Sequence, residues 1–196
     1  MPNTSDRNTG RELEWQESES GRGGEGAWKS SETTFWIDDG CGAAPLGTMS
    51  ALSLNCRGLG NPLTVKTLQQ FVKEEDLTLV FLMETKFKIL EMEGIKRKVK
   101  RQHGLVVPSQ NRGGGLALIW KDTLQVEPLT YSQRHIDVIV NEEGGNKRWR
   151  FTNFYGNLET GKREESWALI RNLSNRCDLP WVIIGDFNEL LHANEK

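Results

Sequence analysis

Two apolar rhythms alternate along the chain from Met49 onward, and a stretch without rhythm precedes them. Residues 50–55 form a short apolar run with strand chemistry. Asn61-Pro62 then offers a side chain that can accept from free amides at a helix start, and a proline whose missing N–H costs nothing there. Leu63, Val65, Leu68, Phe71 and Val72 follow at roughly helical spacing, so residues 62–75 read as an amphipathic helix. Residues 78–83 (TLVFLM) are a continuous apolar run, the pattern of a strand buried on both faces. Residues 89–101 are a weaker, basic stretch, helical or irregular. LALIW at 116–120 follows three glycines and reads as a strand. Alternating segments near 123–131 and 136–141 come next. A turn at Glu143-Gly144-Gly145-Asn146 then leads into residues 148–155, which suggests a hairpin. Residues 161–175 are a second helix with Trp167, Ile170 and Leu173 on its apolar face. PWVIIG at 180–185 is another buried strand, closed by Asp186-Phe187-Asn188. Strands of this kind with helices outside them predict an α/β sandwich of two packed sheets.

Composition sharpens the division at Met49. Residues 1–48 hold nine acidic and four basic residues and eight of the 20 glycines, with almost no aliphatic run. Their charge is −5, which leaves 18 acidic and 21 basic residues, a charge of +3, for residues 49–196. Such an acidic Gly/Ser-rich leader cannot bury enough apolar surface to offset the entropy of ordering it, so residues 1–48 are expected to be disordered. Trp15, Trp28, Phe35 and Trp36 stand out within it, either as a short binding motif or as scattered aromatics. The mildly basic body is compatible with a polyanionic partner without requiring one. Cys41, Cys56 and Cys177 lie at wide, irregular spacing, which gives neither a disulfide framework nor a zinc pattern. No apolar run approaches the roughly 20 residues that span a bilayer, and the N-terminus lacks a secretory signal pattern. The expectation is a soluble, intracellular protein.

Four polar side chains stand at the ends of apolar strands: Asn55 after ALSL, Glu84 after TLVFLM, Tyr155 after RFTNF and Asp186 after WVIIG. Strands in a layered fold deliver their ends to a common rim, where open sheets place ligands. Two carboxylates and an amide are hard oxygen ligands that suit Mg²⁺ or Mn²⁺ rather than zinc. Each residue alone has a plainer reading. A Glu in the position of Glu84 is most often just a first solvated loop residue, while Asp186-Phe187-Asn188 equally reads as an Asx turn, Asn55 as the cap of a turn into Arg57-Gly58, and Tyr155 as an ordinary strand-end aromatic.

Taken in order, these segments resemble a known family. LSLNCRGLGNP, VFLMETK, VVPSQNRGGGLALIWK, FTNFYG and IIGDFNELL are similar to endonuclease/exonuclease/phosphatase domains, in the branch found in plant LINE-type retrotransposons. The resemblance covers nearly all of residues 49–196 and excludes the leader. It implies a four-layer, DNase I-like α/β sandwich that nicks DNA with Mg²⁺ (or Mn²⁺). In that reading Glu84 and Asn55 are the metal-binding pair, Asp186 orients and deprotonates the attacking water, Asn188 fixes the geometry beside it, and Tyr155 organises the phosphate. Arg57 is near enough to contact substrate, with a structural salt bridge as the alternative. Domains of this family continue past the GDFN strand to an Asp-His pair. His103, His135 and His192 have no matching context, so the domain is expected to be incomplete at its C-terminus and its hydrolysis impaired. The alternative is a non-catalytic remnant with weak nucleic-acid binding. A nuclear location would follow from a DNA substrate. The run Lys96-Arg97-Lys98-Val99-Lys100-Arg101 resembles an import signal or, equally, a solvated helix face.

Overall fold

The computed structural model describes residues 32–37 (backbone only), 49–110, 113–142 and 148–188. The described strands are β1 (Glu32–Ile37), β2 (Met49–Asn55), β3 (Leu79–Met83), β4 (His103–Val107), β5 (Leu116–Trp120), β6 (Leu124–Ser132), β7 (His135–Glu142), β8 (Arg148–Tyr155) and β9 (Trp181–Asp186). The helices are α1 (Pro62–Glu74), α2 (Ile89–Lys98) and α3 (Arg163–Ser174), the last entered through a tight turn at Thr160–Lys162. The strands form two sheets, in the orders β1-β2-β3-β5-β4 and β6-β7-β8-β9. Strands β2 and β3 run parallel, as do β8 and β9, and the other pairings are antiparallel.

Alternation along the strands explains the layers. Met49, Ala51, Phe81, Met83, Leu116 and Leu118 of the first sheet meet Ile136, Val138, Val140, Trp149, Phe151 and Ile184 of the second in one buried cluster. The opposite face of the first sheet carries Leu52, Leu54, Val80, Leu82, Ala117 and Ile119, which pack with Val65, Leu68 and Val72 of α1 and Met92 and Ile95 of α2. Burying such a side chain stabilises the fold by about 1.5–3 kcal/mol. Helix α3 covers the outer face of the second sheet, where the Leu173 carbonyl accepts from Arg150 Nη1 at 2.7 Å. The result is the α/β sandwich expected from the pattern.

Local signals act where the sequence places them. Asn61 caps α1, its Oδ1 accepting from Leu63 N at 2.9 Å, with Pro62 in the first turn. The basic stretch after Ile89 is helical to Lys98. Its cations are unequal: Lys96 is buried and pairs with Glu93 at 2.9 Å, and Arg101 Nη2 donates to the Leu77 carbonyl, while Arg97, Lys98 and Lys100 are exposed.

Two findings differ from expectation. Residues 32–37 of the leader are not disordered: they form β1, antiparallel to β2, with Glu32 opposite Leu54 and Ile37 opposite Met49. Backbone pairing along an available strand edge supplies the order that composition does not. The rest of residues 1–48, including Trp15, Trp28 and Cys41, lies outside the described residues, as do the turn at 143–147 and His192. The second finding is β4, which the sequence pattern did not separate from its flanks. It lies at the sheet edge and only Val107 is fully buried, so its apolar signal is short.

Candidate active site

Parallel pairing is what assembles the site. Asn55 is the register partner of Met83, which puts Asn55 and Glu84 at the same end of adjacent strands. Tyr155 is the register partner of Asp186, so these two share the corresponding end of the second sheet. The Tyr155 hydroxyl donates to Glu84 Oε1 across the gap between the sheets. Asn55, Glu84, Tyr155 and Asp186 therefore meet at one rim of the sandwich. Asn188 joins them: its backbone N–H donates to Asp186 Oδ1 at 3.0 Å and its Nδ2 to the Gly156 carbonyl at 2.9 Å.

Glycines permit the closeness. Gly156 N–H donates to the Asp186 carbonyl at 2.7 Å, and a Cβ on Gly156 would lie 2.1 Å from the Phe187 carbonyl oxygen. Gly185, at φ +145°, is as tightly placed against Phe154, 1.8 Å from its carbonyl oxygen to a Cβ. On the other side of the rim, Thr85 and Lys86 donate their backbone N–H groups to the carbonyls of Gly115 and Gly114, at 3.1 and 3.0 Å. The Gly-rich turn thus clamps the residues that follow Glu84.

Electrostatics assign protonation states. Burial, then the hydrogen bond and charge of Glu84, push the Tyr155 phenol well above its ordinary range. The phenol stays protonated and acts as a donor to Glu84, not as a nucleophile. Burial beside Glu84 likewise pushes the Cys56 thiol up to about 12, so it is inert near neutral pH. Cys56 and Cys177 are both free.

The plainer reading of Asn55 is realised in part, because its Oδ1 accepts from Arg57 N at 3.2 Å. Arg57 is exposed and forms no ion pair among the described residues. His103 is an exposed strand residue, whereas His135 is buried in β7. Sequence reading missed Arg134, which occupies the two-residue turn between β6 and β7. Its Nη1 donates to the Gly156 carbonyl at 3.1 Å and its Nη2 to Asn157 Oδ1 at 3.2 Å. Only the polar cluster Thr130, Ser132, His135 around it hinted that this turn is anchored.

The donor set fits a small hard cation. Among the described residues no group of three or more His, Cys, Asp and Glu could form a protein cage for a metal. Mg²⁺ is held instead by one or two carboxylates, with water and substrate oxygens completing its shell. Glu84, with the Asn55 amide at the same end of the adjacent strand, is a set of that kind.

Comparison with known proteins agrees with this architecture. The family model for the Endonuclease/Exonuclease/phosphatase family matches residues 52–195. No curated protein matches the sequence. Among solved structures, the human Nocturnin catalytic domain with bound sulfate is similar at TM-score 0.59 and 14% identity, over 72% of this chain and 64% of that one. A D. rerio TDP2 humanized by 14 mutations follows at 0.55 and 16%, over 72% and 67%. The Bacteroides thetaiotaomicron mannosyl-6-phosphatase Bt3783 stands at 0.54 and 16%, over 66% and 58%. This chain thus spans 58–67% of the length of these three. The identities speak for the fold alone, and the fold is the two-sheet α/β sandwich of DNase I-like proteins. With the family model matched over most of its length, the chain belongs to the endonuclease/exonuclease/phosphatase family.

Proposed function

We propose that this chain hydrolyses phosphodiester bonds in DNA with Mg²⁺ (or Mn²⁺), as an endonuclease of the retrotransposon type. The observation that supports it best is the contact of Tyr155 with Glu84 across the two sheets, with Asp186 opposite Tyr155 on the neighbouring strand. Members of the family generally depend on a divalent metal. The retrotransposon branch rests on the motifs LSLNCRGLGNP, VFLMETK and IIGDFNELL, and DNA as substrate follows from that branch. A DNA substrate would in turn require the protein to work in the nucleus.

In this reading Asp186 is the general base. Its Oδ1 is fixed by the Asn188 N–H, which sets the rotation of the carboxyl group. It takes a proton from water as the water oxygen bonds to phosphorus, and the P–O bond to the leaving oxygen breaks with its electron pair. Glu84 and Asn55 would hold the Mg²⁺, which offsets phosphate charge and stabilises the leaving oxygen when bound. Tyr155 keeps one Glu84 oxygen occupied and so fixes the direction of the other. Arg57, Lys86 and Lys88 are exposed beside Asn55 and Glu84, where a polyanion would approach.

Nicking of supercoiled plasmid by the full chain tests this, with Mg²⁺ or EDTA, beside Glu84→Ala and Asp186→Ala. Nicking that requires Mg²⁺ and falls at least ~100-fold in both variants is the expected result. A folded wild-type chain that retains plasmid without cutting it, in Mg²⁺ or Mn²⁺, overturns the proposal in favour of a non-catalytic domain with weak nucleic-acid binding.

A further inference from the structure

We infer that Arg134 is a positioning residue for this site: its guanidinium holds the segment after Tyr155 and thereby sets the placement of Asn188 and Tyr155. The inference rests on the hydrolytic reading above and adds a residue to it.

The Gly156 carbonyl is the point of convergence. It accepts from Asn188 Nδ2 at 2.9 Å and from Arg134 Nη1 at 3.1 Å. The first contact orients the Asn188 amide, whose backbone N–H in turn fixes Asp186. A carbonyl held by two donors from different parts of the chain has little freedom to rotate its peptide plane. With one donor removed, that plane and the Asn188 amide move together. Arg134 Nη2 reaches the next residue, donating to Asn157 Oδ1, which also accepts from Glu159 N at 3.2 Å. The Asn157 backbone N–H donates to Ser166 Oγ at 2.9 Å, tying the same segment to α3.

Two acceptors on consecutive residues suit the planar fork of arginine. A lysine ammonium is a single point of charge and cannot place two donors at that spacing in one plane. Arg134 is itself well anchored. Its backbone N–H donates to Ser132 Oγ at 3.0 Å, and its carbonyl accepts from Tyr155 N at 2.8 Å. Ser132 Oγ lies 2.8 Å from His135 Nδ1, and Gln133 Nε2 donates to the Pro108 carbonyl at 3.2 Å. The Arg134 Cζ sits 5.8 Å from the centre of the Tyr155 ring, beside the phenol that contacts Glu84. One turn residue therefore bears on Tyr155 through its main chain, its charge and the segment that follows.

The test uses the full chain as wild type, Arg134→Ala, Arg134→Lys, and Arg148→Ala as a control on an exposed arginine of β8. Two readouts are needed: amide hydrogen exchange by NMR at residues 155–157 and 186–188, and Mg²⁺-dependent plasmid nicking at varied DNA concentration. Both Arg134 variants should exchange about tenfold faster at Gly156 and Asn188, with the control unchanged. Their kcat should fall about tenfold or more with KM within about twofold, and added guanidinium should restore part of the loss in Arg134→Ala. Unchanged exchange at those residues overturns the inference. So does a raised KM with unchanged kcat, which would make Arg134 a phosphate contact. A wild type that never nicks, with exchange altered as expected, overturns the hydrolytic reading and supports the role of Arg134 in holding the segment.

Discussion

Backbone strain at single residues collects around the rim. Among the described residues six other than glycine have positive φ, and four of them are Arg57 (+48°), Glu84 (+50°), Lys86 (+58°) and Asn188 (+54°). Each costs about 1–2 kcal/mol relative to a right-handed residue, so neighbours must hold it. The Gly114 carbonyl does this for Lys86, and Asp186 Oδ1 does it for Asn188. His135 supports the same region from beneath the β6–β7 turn, its ring nitrogens 2.8 Å from Ser132 Oγ and 2.9 Å from Thr130 Oγ1. Burial lowers its pKa below the usual histidine value, and the opposing pull of Asp137 is the smaller effect. The folded chain therefore resists a proton that the unfolded chain accepts. Its contribution to stability is full above the ordinary histidine pKa of about 6.5 and declines as pH falls below that value, down to the lowered folded-state pKa. Urea midpoints at pH 7.5 and 5.5 should accordingly drop more for wild type than for His135→Gln; equal drops would exclude this role.

Elements at the edges depend on their ends. Helix α2 closes through Val99 and then Lys100, which sits at φ +56°. The Arg101 N–H reaches back to the Lys96 carbonyl at 3.0 Å, the closure that glycine usually makes at a helix C-terminus. Lysine bears a steric cost there that glycine avoids, while glycine loses more entropy on folding. Lys100→Gly should therefore raise unfolding stability by about 0.5–1 kcal/mol, readable from chemical denaturation; a loss of stability would show that the lysine side chain contributes more than its backbone costs. Strand β4, which follows this cap, shows why edge elements are hard to read. Its Gly104 lies against Ile119, where a Cβ would come within 2.8 Å of Cγ2, so close approach to β5 rather than side-chain pattern defines it. Strands β3, β5 and β9 carry dense apolar runs and needed no such context.

Across the whole molecule the two outer faces are built differently. Aliphatic side chains join the first sheet to α1 and α2. Under α3 the second sheet carries a charged network instead. Arg150 donates through Nε and Nη2 to the two Asp137 oxygens, both at 2.9 Å, and both side chains are fully buried. Thr152 Oγ1 donates to Asp137 Oδ1 at 2.6 Å and accepts from Trp181 Nε1 at 2.8 Å, while the Trp181 ring stacks 4.5 Å from Arg150. This network joins β7, β8, β9 and α3; β8 ends in Tyr155 and β9 in Asp186. Asp137→Ala would leave a buried, unpaired guanidinium and should cost about 3–5 kcal/mol of stability. The paired change Asp137→Leu with Arg150→Met should recover most of that loss in thermal unfolding. A single variant as stable as wild type would mean that water reaches the site.

The sequence by itself determined the elements and the residues at their ends. Periodicity and apolar runs identified α1, β2, β3, β5, β8, α3 and β9, because those signals are local and strong. Asn55, Glu84, Tyr155, Asp186 and Asn188 were legible because each stands at or just after the end of an apolar run, a feature visible without knowing which strands pair. Tertiary structure alone decided that β2 lies parallel to β3 and β8 to β9, which turns four strand ends into one rim. It alone brought Arg134 to Gly156, since a hairpin turn and a strand end 22 residues apart share no pattern along the chain. Order in residues 32–37 was likewise invisible to composition. A strand that gains its order from a neighbour's free hydrogen-bonding edge owes it to the partner, and no count of its own residues contains that partner.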